Sequence, residues 1–254
     1  MRGAATTLLA AGLAAAARAD EQPAGEPNPP QWPETVRVFS PSDTDIQETV
    51  DAAFEINGGM CDGPGSADCP PGQWSTHRFA FLFQPGRYSV DVPVGFYTTV
   101  AGLGRSPDDT VFTGSKGVFT EEGSSNYTLG ALEQFWRIGE NFRSQSTFQW
   151  PGADQGMLWA VSQASPLRRI HVDHDLTLYE YMPPWEGAGY SSGGFLSNSQ
   201  VGGTVHYGSQ QQWFTRNCEI KATDPLGGVF NMVWVGTKGA PHDHCNPVWS
   251  QNME

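Results

Sequence analysis

Charge is scarce in this sequence. Only 16% of its 254 residues are charged, and 14 Lys and Arg stand against 27 Asp and Glu. The resulting formal net charge of −13 excludes a general nucleic-acid binder, because attraction to phosphate needs a basic surface. Sparse charge beside 30 Gly and 19 Pro also excludes a coiled coil or long helical bundle. Nucleotide and hydrolase signatures are missing as well: there is no G-x-S-x-G, no P-loop and no H-E-x-x-H. Gly102-Leu103-Gly104 lacks the third glycine of a dinucleotide fingerprint. No cofactor is expected. No segment, the N-terminal apolar run included, has the roughly 18 consecutive apolar residues of a membrane span.

What is present points to an exported, turn-rich all-β protein. Aromatic residues make up 12%, nine of them Trp, too many for a disordered chain. Met1-Arg2-Gly3 followed by the apolar run from Ala4 to Ala17 and the small-residue exit Ala17-Arg18-Ala19 reads as a secretory signal peptide over residues 1–19. Its removal takes away Arg2 and Arg18 and leaves no membrane attachment, so the expected location is extracellular. Residues 20–35 form a Pro-rich linker. A domain is expected over 36–246. Residues 247–254, which carry neither a helix cap nor a closing strand, read as a tail or as the point where a longer relative continues.

The four cysteines suit an oxidising compartment. Cys61 and Cys69 share a Gly/Pro loop and are expected to bridge locally. Cys218 and Cys245 then pair by elimination, with free thiols as the alternative. Asn126-Tyr127-Thr128 is a glycosylation acceptor pattern.

One amphipathic helix is legible. Ser42-Asp43-Thr44-Asp45 offers an N-cap to Ile46–Ile56, with Ile46, Val50, Ala53 and Phe54 on one face. After it the helical period disappears. Short β-prone runs follow, broken by Gly, Pro, Asn and Asp: Phe79–Phe83, Tyr88–Val92, Tyr97–Ala101, Thr110–Phe112, Phe135–Ile138, Leu158–Val161, Arg169–Val172, Leu176–Tyr179, Gly194–Leu196, Gln211–Thr215 and Val229–Val235. Asn141, Asn198 and Asn217 follow several of them. Irregular spacings of about 20–30 residues fit a right-handed parallel β-helix. A sandwich or jelly roll would show tighter, more regular spacing. The helix would cap the open first coil.

Three clusters can carry chemistry. In Ser209-Gln210-Gln211-Gln212-Trp213, Gln210 and Gln212 would share one strand face and hold a water or a sugar hydroxyl, with a polar outer face as the structural reading. In His171-Val172-Asp173-His174-Asp175, alternation would set two carboxylates about 6.6 Å apart, within the range of an inverting glycosidase pair, or a metal site, or a solvated strand face. His242, His244 and Cys245 have zinc-like spacing, but Cys245 is better used in a disulfide, and no metal is expected.

Several segments in order resemble secreted bacterial β-1,3-glucanases: Phe79–Tyr88 (FAFLFQPGRY), Val94–Gly104 with Ser106–Asp109, Phe135-Trp136-Arg137 with Glu140-Asn141, and Trp159–Pro166 with Arg168-Arg169. Ser191–Phe195, Ser209–Trp213 and Asn231–Gly236 with Gly239–Pro241 complete the series. Together they resemble the N-terminal pectin-lyase-like β-helix of glycoside hydrolase family 55, the exo-β-1,3-glucanases or laminarinases, from about Val36 to Pro241. The loop Gly58–Trp74 stands out from that pattern as an insertion.

The resemblance implies two tandem β-helices with a sugar cleft between them, and inverting release of glucose from β-1,3-glucan. It implies that Gln210 or Gln212 positions the attacking water, with Trp213 and Arg216 as secondary sugar contacts. It implies a catalytic acid Glu in a second domain that this sequence does not contain, so the chain alone can be inactive. The expected partner is a β-glucan, and the expected state is a monomer. The rival readings are another β-helix polysaccharide enzyme, such as a pectinase or lyase, and a non-catalytic glucan-binding protein.

Overall fold

The structure is a computed structural model. It describes residues 31–58, 72–121, 130–151, 155–182, 187–224 and 231–241. The signal peptide, most of the linker, Cys61, Cys69, Asn126, His242, His244, Cys245 and the tail lie outside the described residues. Everything below concerns the unit that begins at Pro33.

Among the described residues the chain is mostly strand, with one α-helix and two short 3-10 turns. Strands pair in parallel with the strand one coil further on. The main path runs through Val36–Phe39, Phe79–Phe83, Thr98–Gly102, Arg137–Ser144, Pro166–Val172, Gly194–Ser197, Gln212–Arg216 and Asn231–Val235. Its register is continuous: Phe81 pairs Val100, Val100 pairs Gly139, Gly139 pairs Leu167, and Leu167 pairs Leu196. Leu196 pairs Thr215, which pairs Trp234. This is an all-β stack of parallel coils with a β-helix-like sheet, as the irregular strand spacing implied. The shortest coils take roughly 20 residues, as between Thr215 and Trp234.

Alternation sorts the side chains of each strand. In Phe79–Phe83, Phe81 and Phe83 are buried while Ala80 and Leu82 are only partly covered. Inward residues of successive coils stack into one core. Phe83 is fully buried against Phe39, Tyr88 and Phe112, with ring centroids 5.1, 4.9 and 4.8 Å away. Each ring so buried stabilises the stack by about 2 kcal/mol.

The corner after the main strands has a repeated solution. Asn141, Arg169, Asn198, Asn217 and Gly236 all have φ between 51° and 59°, and the register aligns them. Only Gly, and next Asn, takes this left-handed conformation at little cost. That is the physical content of the Asn positions that follow the predicted strands. Asn141 also donates Nδ2 to the carbonyls of Gly102 and Gly104 at 2.8 and 2.7 Å.

The helix spans Ile46–Asn57 and buries Ile46, Val50, Ala53 and Asn57, the first three in the same core as Phe39 and Phe81. Phe54, expected on that face, is only half-buried. The expected side-chain cap is not made: Asp45 occupies the N-cap without capping and ion-pairs with Arg37 at 2.9 Å. Strands Gln200–His206 and Glu219–Asp224 were not legible in the sequence. The first carries a Gly pair and the second alternates charge, which masks the β signal.

The disulfide expected for Cys218 is not formed. Cys218 is a buried free thiol whose Sγ donates to the Arg216 carbonyl at 3.2 Å. It lies between the strands Gln212–Arg216 and Glu219–Asp224 and packs into the core, and burial pushes the thiol pKa up.

Candidate functional site

The start of the main strands carries an open hollow of about 600 Å³. Gln163, Ala164, Gly193, Gln212 and Asn231 line one side, and Phe195, Phe214 and Val233 line the adjacent sheet face. These are outward positions of consecutive coils. Phe195 pairs Phe214, which pairs Val233, and the two phenyl rings lie 5.5 Å apart.

Glycine opens the hollow. Gly193 has φ of 113°, so a side chain there would be strained. A Cβ on it would lie 3.5 Å from Cγ of Gln163 and 3.6 Å from Cβ of Gln212. Gln163 and Gln212 therefore flank Gly193, both exposed, each offering an amide donor and acceptor.

The sequence expected Gln210 and Gln212 on one face. The structure separates them. Gln212 opens the strand Gln212–Arg216 and is exposed. Gln210 precedes it at an isolated bridge to Ser191 and is fully buried. Its Nε2 donates to the carbonyls of Val161 and Leu178 at 2.8 and 2.7 Å. Its Oε1 accepts from the Gly193 N–H at 2.7 Å. The amide holds three coil segments together through these three bonds.

Trp213 and Arg216 also depart from expectation. Trp213 is 3% exposed and belongs to the core; its indole N–H has no partner among the described residues. It reaches the hollow only as floor beneath Gly194. Arg216 is exposed at the other end of the strand, outside the hollow.

A serine pile supports the floor. The Ser192 hydroxyl donates to Ser162 Oγ at 3.0 Å, and the Ser162 hydroxyl donates to the Ala131 carbonyl at 2.8 Å. Deeper in, Tyr207 meets Thr215 Oγ1 at 3.0 Å and accepts from the Trp234 indole at 3.1 Å. Burial pushes its phenol up to about 12.

His171, Asp173 and Asp175 do not form a carboxylate pair. The strand Pro166–Val172 ends before Asp173, and a new one begins at Asp175, so alternation does not carry through. Asp173 turns to the preceding coil, where Arg143 forks onto it at 2.7 and 3.2 Å. Asp175 turns to the following coil, where it accepts from Thr204 N–H at 2.7 Å and lies 3.0 Å from His206 Nε2. His171 meets Asp108 at 2.9 Å. That bond, with the Arg143 charge, holds the Asp108 carboxyl below its ordinary range. Burial works against the charge of Asp173, but Arg143 and Gln145 outweigh it and hold that carboxyl low too. These groups join coils. No His/Cys/Asp/Glu cluster suited to a metal occurs among the described residues.

Sequence reasoning missed Gln163, Phe195, Phe214 and Asn231. A signal was available: Gly193-Gly194-Phe195, Gln212-Trp213-Phe214 and Asn231-Met232-Val233 recur at one-coil intervals, so their outer positions had to stack.

Fold and hollow define the class: a stack of parallel coils whose outer face carries paired amides beside an aromatic wall, a surface suited to hydroxyl-rich ligands. No protein-family model matches the chain. An exo-β-1,3-glucanase of Streptomyces sp. (strain SirexAA-E / ActE) is 38% identical over 207 residues, covering 81% of this chain and 29% of that enzyme. The solved structure of sacteLam55A from Streptomyces sp. SirexAA-E matches with a TM-score of 0.68 at 36% identity, over 86% of this chain and 35% of that one. A variant of sacteLam55A in complex with glucose matches with a TM-score of 0.67 at 35% identity, over 87% of this chain and 35% of that one. The chain is similar to these exo-β-1,3-glucanases over most of its own length, and it spans about a third of theirs.

Proposed function

We propose that this chain supplies the water-holding wall of an extracellular glycoside hydrolase that releases glucose from β-1,3-glucan with inversion. The observation that carries the reading is the amide pair, Gln163 and Gln212, brought together across Gly193 beside Phe195 and Phe214. An amide can accept a hydrogen bond from water while donating to a sugar hydroxyl, so two of them can orient water toward an anomeric carbon. The relatives act on this glucan by name, and one is seen with glucose.

Among the described residues no Lys or Arg lines the hollow, which favours a neutral glucan over a polyuronate. Among them no carboxylate lines it either, and inversion requires a proton donor as well as an oriented water. The same reading includes export by residues 1–19, a right-handed pectin-lyase-like winding, the Ile46–Asn57 helix as cap of the first coil, and a monomeric state.

Calorimetric titration with laminarin tests it. The chain is expected to bind laminarin, and Gln163→Ala and Gln212→Ala each to weaken binding by about tenfold. Preference for polygalacturonate over laminarin would sink the proposal.

A further inference from the structure

The column that begins the main strands changes character along the stack. It runs through Arg78, Tyr97 and Trp136 on successive coils, each one residue before the paired positions Phe79, Thr98 and Arg137. Phe79 N–H donates to the Tyr97 carbonyl and Tyr97 N–H to the Trp136 carbonyl, at 3.1 and 2.6 Å. On the other side the column continues through Ala164, Gly193 and Gln212, all of which line the hollow.

Tyr97 and Trp136 have φ of 56° and 54°. Bulky side chains are disfavoured there, and Gly or Asn would sit more easily. The opposite corner makes that economical choice at Asn141, Asn198, Asn217 and Gly236, with Arg169 the exception, and this column makes it at Gly193 but not at Ala164, whose φ is 59°. The turn therefore does not ask for two aromatic rings. Strain of this kind, retained at an exposed position, points to use.

The rings form a braced stack. Tyr97 and Trp136 lie 5.2 Å apart and 10° from parallel. The Arg78 guanidinium covers the far face of the pair, 3.6 Å from the Tyr97 ring centre, and is itself tied to the carbonyls of Ser75 and His77. The Tyr97 hydroxyl donates to the Gln73 carbonyl at 2.8 Å. Arg137, next to Trp136, is wholly buried, and its Nη1 donates to the Val94 carbonyl and Gln134 Oε1 at 2.9 and 3.1 Å. Trp136 remains 41% exposed. Phe135 lies beside it, with ring centroids 5.3 Å apart at 50°, and its register neighbour on the hollow side is the small residue Ala164.

We propose that Trp136, backed by Tyr97 and Arg78, is a stacking platform for a pyranose ring. It forms a second sugar position beside the hollow, taken by a further glucosyl unit of a neutral chain held at Gln163 and Gln212. A flat indole face suits the apolar face of a pyranose. The Arg78 charge, on the far side of Tyr97, leaves the open face without a group that would select an anion. The inference rests on the glucan reading of the hollow and adds a requirement for chain length.

The test is titration of this chain with laminaribiose and laminarihexaose, using wild type, Trp136→Asn, Trp136→Phe and Gln212→Ala. Asn accepts the left-handed backbone, so Trp136→Asn is expected to keep the wild-type circular dichroism and thermal midpoint. Its affinity for the hexaose is expected to fall about tenfold, with biose binding unchanged and the hexaose-induced change in tryptophan fluorescence lost. Trp136→Phe should recover part of the hexaose affinity, whereas Gln212→Ala should weaken both ligands. Wild-type hexaose affinity in Trp136→Asn, with loss in Gln212→Ala, overturns the platform and leaves the glucan reading standing. Failure of the wild-type chain to bind either oligosaccharide overturns both.

Discussion

Two glutamines two residues apart carry opposite loads. Gln210 ties Val161, Leu178 and Gly193 together from the interior, whereas Gln212 stands exposed at the hollow. Replacing Gln210 by Ala would leave two buried carbonyls and one buried N–H without partners, each costing about 1 kcal/mol or more. Gln210→Ala is therefore expected to lower the free energy of urea unfolding by about 3 kcal/mol. Gln212→Ala should change it by less than about 0.5 kcal/mol. Equal effects of the two substitutions would contradict the division of labour. The sequence could not make this distinction. Both side chains read as polar residues on a strand, and the bend that separates them falls at Gln211.

At the scale of elements, polar side chains act as ties between coils. Arg143 links Asp108 of the Pro107–Asp109 turn to Asp173 at the end of Pro166–Val172. Both carboxyls titrate below their ordinary value of 3.8 in the folded protein. A depressed folded pKa means that the unfolded chain takes up protons first as pH falls. The stabilisation is complete above pH 3.8 and is lost as pH drops through the lowered values. Arg143→Gln should accordingly unfold at lower urea concentration than wild type at pH 7. The gap should narrow as the pH is taken below 3.8, measured by urea midpoints across that range. A gap constant with pH would remove the ion pairs from the account. The alternating His171, Asp173 and Asp175 announced a polar strand face, but the pairing of each group depended on where one strand stopped and the next began.

For the molecule as a whole, each coil touches mainly its neighbours, so stability is distributed along the stack. Interior strands such as Thr98–Gly102 and Arg137–Ser144 pair on both sides. Asn231–Val235 pairs only with Gln212–Arg216 among the described residues, and its Val233 and Val235 are 51% and 47% exposed. Native-state hydrogen exchange should therefore run at least about tenfold faster in Asn231–Val235 than in Arg137–Ser144. Equal protection would show that the last strand is covered in solution. The amphipathic helix joins the same core through Ile46, Val50 and Ala53, which lets one short helix serve an otherwise all-β chain.

The sequence by itself determined the class of architecture. Its β-prone runs, its Gly, Pro and Asn punctuation and its single helix match the parallel coils. Phe79–Phe83 and Thr110–Phe112 fall at the expected residues, because strand formation and turn conformation depend on local side-chain chemistry. The order of its motifs also carried the likeness to an exo-β-1,3-glucanase. Tertiary structure alone decided which side chains meet. Gln163 and Gln212 lie far apart in the chain and come together across Gly193 only because intervening coils stack. Cys218 packs into the core between two strands, and Tyr97 and Trp136 form one surface because two corners fall in register. Such juxtapositions follow from the number of residues in each coil, a property that no short stretch of sequence expresses.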